Sequence, residues 1–326
     1  MKPFEYHTAT NAEQATDLAN KNSQYLAGGT NQIDLMKKHI NQPNTLIHIT
    51  AALPNSIEIT PKGVLIGAST SNSMVAAHPD IKTYYPLLSK AILAGASPQI
   101  RNMATTGGNL LQRTRCPYFY DTTFDCNKRK PGSGCSALNG HQRMAGIIGN
   151  SNACVAVHPS DFCVALAALD AEVLIIKKDG STKKIPFENF HKLPGDTPAL
   201  DNNLPANALI TAVFVPSNDF NENFAYIKIR ERDSYAFALV SAAATLSIKN
   251  GVIKEARIAS GGVAHKPWRW FASEAYLKNK PPTRAHFERA ATIAASEVNP
   301  LQNNTFKVPL LEGAITSALL ESISTK

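Results

Sequence analysis

Three of the five cysteines fall within twenty residues, in the stretch CPYFYDTTFDCNKRKPGSGC (116–135). Thiols grouped this way hold a soft metal such as zinc, hold an iron–sulfur cluster, or pair as a disulfide. The spacings, C-x9-C and then C-x8-C, match neither the C-x2-C pair of a zinc ribbon nor a ferredoxin run. They require a loop that wraps around its ligand, and Gly132 and Gly134 permit the turns. Cys154 opens the apolar run ACVAVH, which reads as a buried strand, at C-x18-C from Cys135. Cys163 lies on the apolar face of PSDFCVALAALD, a helical pattern, and reads as core. The basic run Lys128, Arg129 and Lys130 reads as a solvated face, a partner-docking patch, or a counter-charge for an anionic group in the loop.

Two glycine pairs carry a different chemistry. Ala27-Gly28-Gly29-Thr30-Asn31 sits between a strand pattern and a helix pattern, where glycine lets backbone approach a ligand and leaves amides free for phosphate oxygens. Thr105-Thr106-Gly107-Gly108-Asn109 repeats the arrangement, with Arg101 upstream. Neither is a G-x-G-x-x-G nor a G-x-x-x-x-G-K-[ST], so a dinucleotide fold and a P-loop are both disfavoured. The ligand that suits two such loops is a pyrophosphate clamped from both sides.

The elements that position these residues follow from periodicity. Residues 1–50 read as β-α-β-α-β, a small parallel unit. SIEITPKGVLIG reads as a hairpin, followed by two helices around SNSMVAAHP and PLLSKAILAGAS. AEVLIIKKDGSTKKIPF is a second hairpin, and ALITAVFVP is a strand. Beyond residue 217 the pattern changes to three antiparallel strands and then helices near 270–279, 284–298 and 308–322. The fold class is therefore α/β plus α+β: a two-part ligand-binding portion (1–55 and 56–216, with the cysteine loop at about 113–154) and a C-terminal α+β domain (217–326). At 326 residues, 44% hydrophobic and net charge +8, the chain has the composition of an ordinary globular protein. No apolar run is long enough for a membrane span, and no nucleic-acid motif accompanies the scattered basic residues. The N-terminus, MKPFEYHTATNAEQ, has neither an apolar signal region nor a twin arginine.

The loops AGGTN and RNMATTGGNL resemble the two flavin-binding loops of the FAD subunits of molybdenum hydroxylases, the xanthine dehydrogenase and carbon monoxide dehydrogenase family. HPSD (158–161), YIKIRERDSYAFALVSAAATL and ASGGVAHKPWR extend the resemblance over nearly the whole chain. Within that family the likeness is to the flavin subunit of bacterial periplasmic aldehyde oxidoreductases, which also has a cysteine loop after the second glycine pair. The resemblance implies FAD contacts from Leu26, Ala27, Gly28, Gly29, Thr30, Asn31, Gln32, Thr105, Thr106, Gly108 and Asn109. It places Asp161 near the flavin's ribose and Lys228 near its pyrimidine edge. It implies a [4Fe–4S] cluster on Cys116, Cys126, Cys135 and Cys154. The implied partners are a large molybdenum-cofactor subunit, a small [2Fe–2S] subunit and an external electron acceptor. The implied location is the periplasm, reached on a partner's twin-arginine signal, with the cytoplasm as alternative because this chain carries no such signal. Two other readings stay open: a self-contained flavin-dependent oxidoreductase of the same fold, and a zinc-stabilised non-redox subunit.

Overall fold

The computed structural model describes residues 1–324 and contains three sheets. The first is parallel, with β1 (Glu5–Thr8), β2 (Ser23–Leu26) and β3 (Thr45–His48) in the order β1-β3-β2. The helix Ala12–Leu18 makes the first crossover; the Asn11 side chain caps it by accepting from the Gln14 N–H at 2.8 Å. The second crossover contains Gly28 and Gly29 and the helix Gln32–Lys37. This is the parallel unit expected from the sequence.

The second sheet is antiparallel. It contains β4 (Ile57–Thr60), β5 (Gly63–Gly67), β6 (Glu172–Ile176), β7 (Thr182–Pro186) and β8 (Leu209–Pro216), in the order β4-β5-β8-β6-β7. Both predicted hairpins, β4–β5 and β6–β7, form. Between Leu110 and Asp161 the chain leaves this layer and forms only the short helix Pro117–Tyr120 and a 3-10 turn at Ser136–Leu138. The expected strand ACVAVH does not form there; Cys154 makes only an isolated bridge with Ser151. Its apolar residues are buried by a different route. Val155 accepts from the Gly146 N–H, and the His158 N–H donates to the Ala264 carbonyl, so the segment runs as an extended wall between loops.

The third sheet holds β9 (Phe224–Ile229), β10 (Val240–Lys249) and β11 (Val252–Gly261), antiparallel as expected, and is extended by the two-residue β12 (Trp268–Arg269). The first eight residues of β10 are all buried. The helix Asp161–Ala168 and the C-terminal helix Lys307–Ser324 both pack against this strand, and its small side chains (Ser241, Ala242, Ala243, Ala244) admit both.

Lys307, at the head of that last helix, is fully buried and donates to the Ala145 and Gly262 carbonyls, both at 2.9 Å. Burial, with a smaller contribution from Arg143, pushes its ammonium down to about 7. The unfolded chain therefore binds one more proton than the folded chain from about pH 7 up to the ordinary lysine range, and the lysine's contribution to stability rises with pH across that window. Lys307→Met removes the titration. The melting temperature of the wild type relative to this variant is expected to climb between pH 7 and 10, and a difference that is flat or falls would refute the assignment.

Candidate functional site

The two glycine loops meet directly. A Cβ on Gly28 would overlap the Met103 carbonyl oxygen and lie 2.6 Å from its carbon, so this glycine is required by the contact between the two loops. Gly29 adopts φ +72°, which favours glycine. The loops then differ in what they leave unpaired. In the second, the Thr106 and Gly107 N–H groups donate to Thr70 and Ala68 carbonyls, and the Gly108 and Asn109 N–H groups donate to the Thr105 side chain and carbonyl. The Thr106 hydroxyl is buried on Thr70. In the first, no described residue accepts from the N–H groups of Gly28, Gly29, Thr30 or Asn31. Thr30 is exposed, and Gln32 carries a buried Nε2 with no partner. A run of free amides at the start of a helix suits phosphate oxygens. The second loop supports that run from behind.

Asn31 ties the first loop to the segment that follows the second: it accepts from the Arg113 N–H at 2.8 Å and donates to Tyr120 Oη at 3.3 Å. Ser160 donates to the Asn109 side chain at 2.5 Å and also caps the helix Asp161–Ala168. These contacts frame a cleft with about 610 Å³ of empty space, its open mouth included. Its walls come mainly from residues 114–117, 155–161, 237–241 and 261–262, so connections of the second and third sheets contribute. Asp161 lies on this wall and Lys228 is its partner, 2.7 Å away; both side chains are at least nine-tenths buried. Tyr226 Oη also donates to Asp161, at 2.7 Å, and the Lys228 ammonium reaches the Ala94 carbonyl. The two residues expected to touch different parts of a flavin thus form one neutral pair, and Tyr226, which the sequence did not single out, completes it.

Cys116, Cys126, Cys135 and Cys154 line a second, smaller cavity with about 260 Å³ of empty space, its open side included, which shares Thr114, Cys116, Ala137 and Ala156 with the cleft. Cys126 and Cys135 face each other across an isolated antiparallel bridge. Cys154 donates its thiol hydrogen to Cys135, which lowers the Cys135 thiol from its ordinary value; burial pushes Cys116 up to about 11. All five cysteines are free, and Cys163 is fully buried in its helix, as the sequence implies.

The basic run is not a solvated face. Lys128 is buried on the wall of the cysteine cavity, with its ammonium on Asp201 and the Pro198 carbonyl. Arg129 donates to the Tyr118, Phe119 and Phe124 carbonyls, and Lys130 alone is exposed. Arg113 joins the same carboxylate at 2.7 Å. Asp201 comes from a loop rich in Pro, Asp and Asn, 88 residues from Arg113, whose composition gives no periodic signal, so the sequence offered nothing to find it by.

His158, Cys163 and His191 place donor atoms within 4.8 Å of one another. Hydrogen bonding argues against a metal there. His158 Nδ1 accepts from the Ser160 N–H, so its Nε2 carries the proton; His191 Nε2 meets the Leu110 carbonyl and so leaves a lone pair on Nδ1. The two otherwise unpartnered nitrogens are a complementary donor and acceptor, in rings whose centroids are 4.4 Å apart.

Comparison with known proteins places this geometry. Residues 2–218 match the model of the FAD binding domain in molybdopterin dehydrogenase, and residues 225–321 match the CO dehydrogenase flavoprotein C-terminal domain. The chain belongs to the FAD-binding subunits of the molybdenum hydroxylase family. It is an oxidoreductase subunit, and FAD is its expected ligand. It is 45% identical to the aldehyde oxidoreductase FAD-binding subunit PaoB of Escherichia coli K12, over 99% of both chains. It is 26% identical to the glyceraldehyde dehydrogenase medium chain of Sulfolobus acidocaldarius, over 91% of this chain and 89% of that one. A carbon monoxide dehydrogenase from Hydrogenophaga pseudoflava has the same fold, with TM-score 0.77 at 22% identity over 99% and 98% of the two chains.

Proposed function

We propose that this chain is the FAD- and [4Fe–4S]-binding electron-transfer subunit of a molybdenum-containing aldehyde oxidoreductase. The observation that carries the finer reading is the convergence of Cys116, Cys126, Cys135 and Cys154, from a loop with almost no regular structure, on one small cavity beside the flavin cleft. Four thiols suit the four irons of a cubane cluster. Among the described residues no three of these sulfurs are mutually within 4.8 Å. A tetrahedral zinc site would bring its sulfurs to about 3.8 Å from each other, given Zn–S bonds near 2.3 Å. Cys135 and Cys154 are in hydrogen-bond contact, but the four thiols as a set are more open than a zinc site, and that openness favours the cluster.

When bound, FAD and the cluster supply the redox chemistry, connecting the partner subunits' molybdenum and [2Fe–2S] centres to an external acceptor. The chain's own residues bind and shield. The free amides of the first glycine loop hold phosphate, and the Asp161–Lys228–Tyr226 group fixes one wall of the cleft. Tyr118, Phe119 and Ala137 keep water from the cysteine cavity, and Lys128 supplies a positive charge beside thiolates. The partners in this reading are a large molybdenum-cofactor subunit and a small [2Fe–2S] subunit. Aldehyde as substrate rests on the names of the relatives. The location is the periplasm, reached by co-export with a partner that bears a twin-arginine signal.

Purification of the native complex, with flavin, iron, sulfide and zinc counted per copy of this chain, tests the proposal. One FAD with about four irons and four sulfides is the expected result. FAD without iron would reduce the reading to a flavin-only subunit, and stoichiometric zinc would replace the cluster with a structural metal.

A further inference from the structure

The charges around the cleft are not evenly matched. Asp161 is neutralised by Lys228, and His158 uses its Nδ1 lone pair on the Ser160 N–H. Arg115 also lines the cleft; no carboxylate of a described residue forms an ion pair with it, and Asp34, beside Tyr120, acts on it only from farther away. Its guanidinium sits 5.1 Å from the Phe237 ring centre and 6.0 Å from that of Tyr120, and one nitrogen donates to the Arg113 carbonyl. Two ring faces and one carbonyl leave most of its five N–H donors unspent. A guanidinium held between aromatic rings at the wall of a partly enclosed cleft is a preorganised site for an anion that also has a flat face.

The free amides of residues 28–31 already account for a diphosphate, which leaves the ring for the cleft. We infer that Arg115 is a further positioning cation for the reduced flavin ring, beside the Asp161–Lys228 pair on the same wall. The inference rests on FAD binding with its ring in this cleft. On reduction the ring takes up two electrons, which the partner subunits' substrate oxidation supplies, and one proton. It then carries one negative charge, which a nearby cation stabilises relative to the oxidised, neutral ring.

The test uses the whole complex with Arg115→Gln and Arg115→Lys. Flavin and iron are counted first, and the flavin midpoint potential is then measured by dye-equilibrated reductive titration. Arg115→Gln is expected to shift the reduction equilibrium about tenfold toward the oxidised form, a fall of about 30 mV for a two-electron couple. Arg115→Lys should recover most of that shift. The reduced wild type should show the spectrum of the anionic ring near neutral pH, a reading that does not depend on either variant folding. A complex that lacks FAD would overturn the flavin reading itself. FAD present at an unchanged potential in Arg115→Gln, weaker oxidised-FAD binding at an unchanged potential, or a neutral reduced ring in the wild type would each overturn the role of Arg115 alone.

Discussion

Cys116→Ser, Cys126→Ser, Cys135→Ser and Cys154→Ser should each cut the iron of the purified complex from about four atoms per chain to fewer than one, or to a smaller cluster with altered electron paramagnetic resonance. Cys163→Ser should leave iron unchanged. The separation follows from position: the first four thiols line one cavity, whereas Cys163 is enclosed in a helix, with its backbone N–H on the Ser160 cap. A serine oxygen is a poor ligand for soft iron, so one substitution suffices. Flavin content should fall as well, because the cavity and the cleft share Thr114, Cys116, Ala137 and Ala156 as a common wall. Full iron in Cys154→Ser together with loss in Cys163→Ser would exchange the fourth ligand.

Gly28→Val is the second large effect. The added Cβ would be driven into the Met103 backbone, which cannot rotate away as a side chain could. Overpacking of this kind costs about 1–3 kcal/mol, so the melting temperature should drop by about 2–5 °C, and FAD should be lost. Both losses are expected because the residue sits where the two glycine loops touch, not only where phosphate would lie. Gly108→Ala is milder. Its Cβ would come 2.9 Å from the Thr105 hydroxyl, a side chain that can yield at the expense of the cap it provides. Absorbance at the flavin band and a thermal melt measure both variants; wild-type flavin and stability in Gly28→Val would disprove the contact.

Where a residue's role depended on local pattern, the sequence was legible. The β-α-β-α-β unit, both hairpins and the three long C-terminal strands follow from period and turn residues. ACVAVH failed because apolar content alone does not separate a strand from an extended wall; its partners are loops at residues 146 and 264, which no local pattern announces. Lys128 stayed open for the opposite reason. A run of three basic residues ordinarily faces water, and what draws the first of them inside is Asp201, on a loop far along the chain. The glycine pairs looked equivalent as text. They differ because one segment spends its amides on residues 68 and 70, a contact made only in three dimensions.

The cleft also carries a consequence for the order of assembly. The loop of free amides lies near residue 28, whereas the walls of the cleft come from residues 114–161 and 237–262. At ribosomal rates of about 5–20 residues per second, roughly 230 residues separate the first of these from the last, a delay of about 10–50 s. Throughout that interval the nascent chain has the free-amide loop without a completed cleft. Flavin enclosure therefore cannot precede synthesis of residues 237–262, and a chain cut short before β11 is expected to leave the ribosome unable to retain its cofactor.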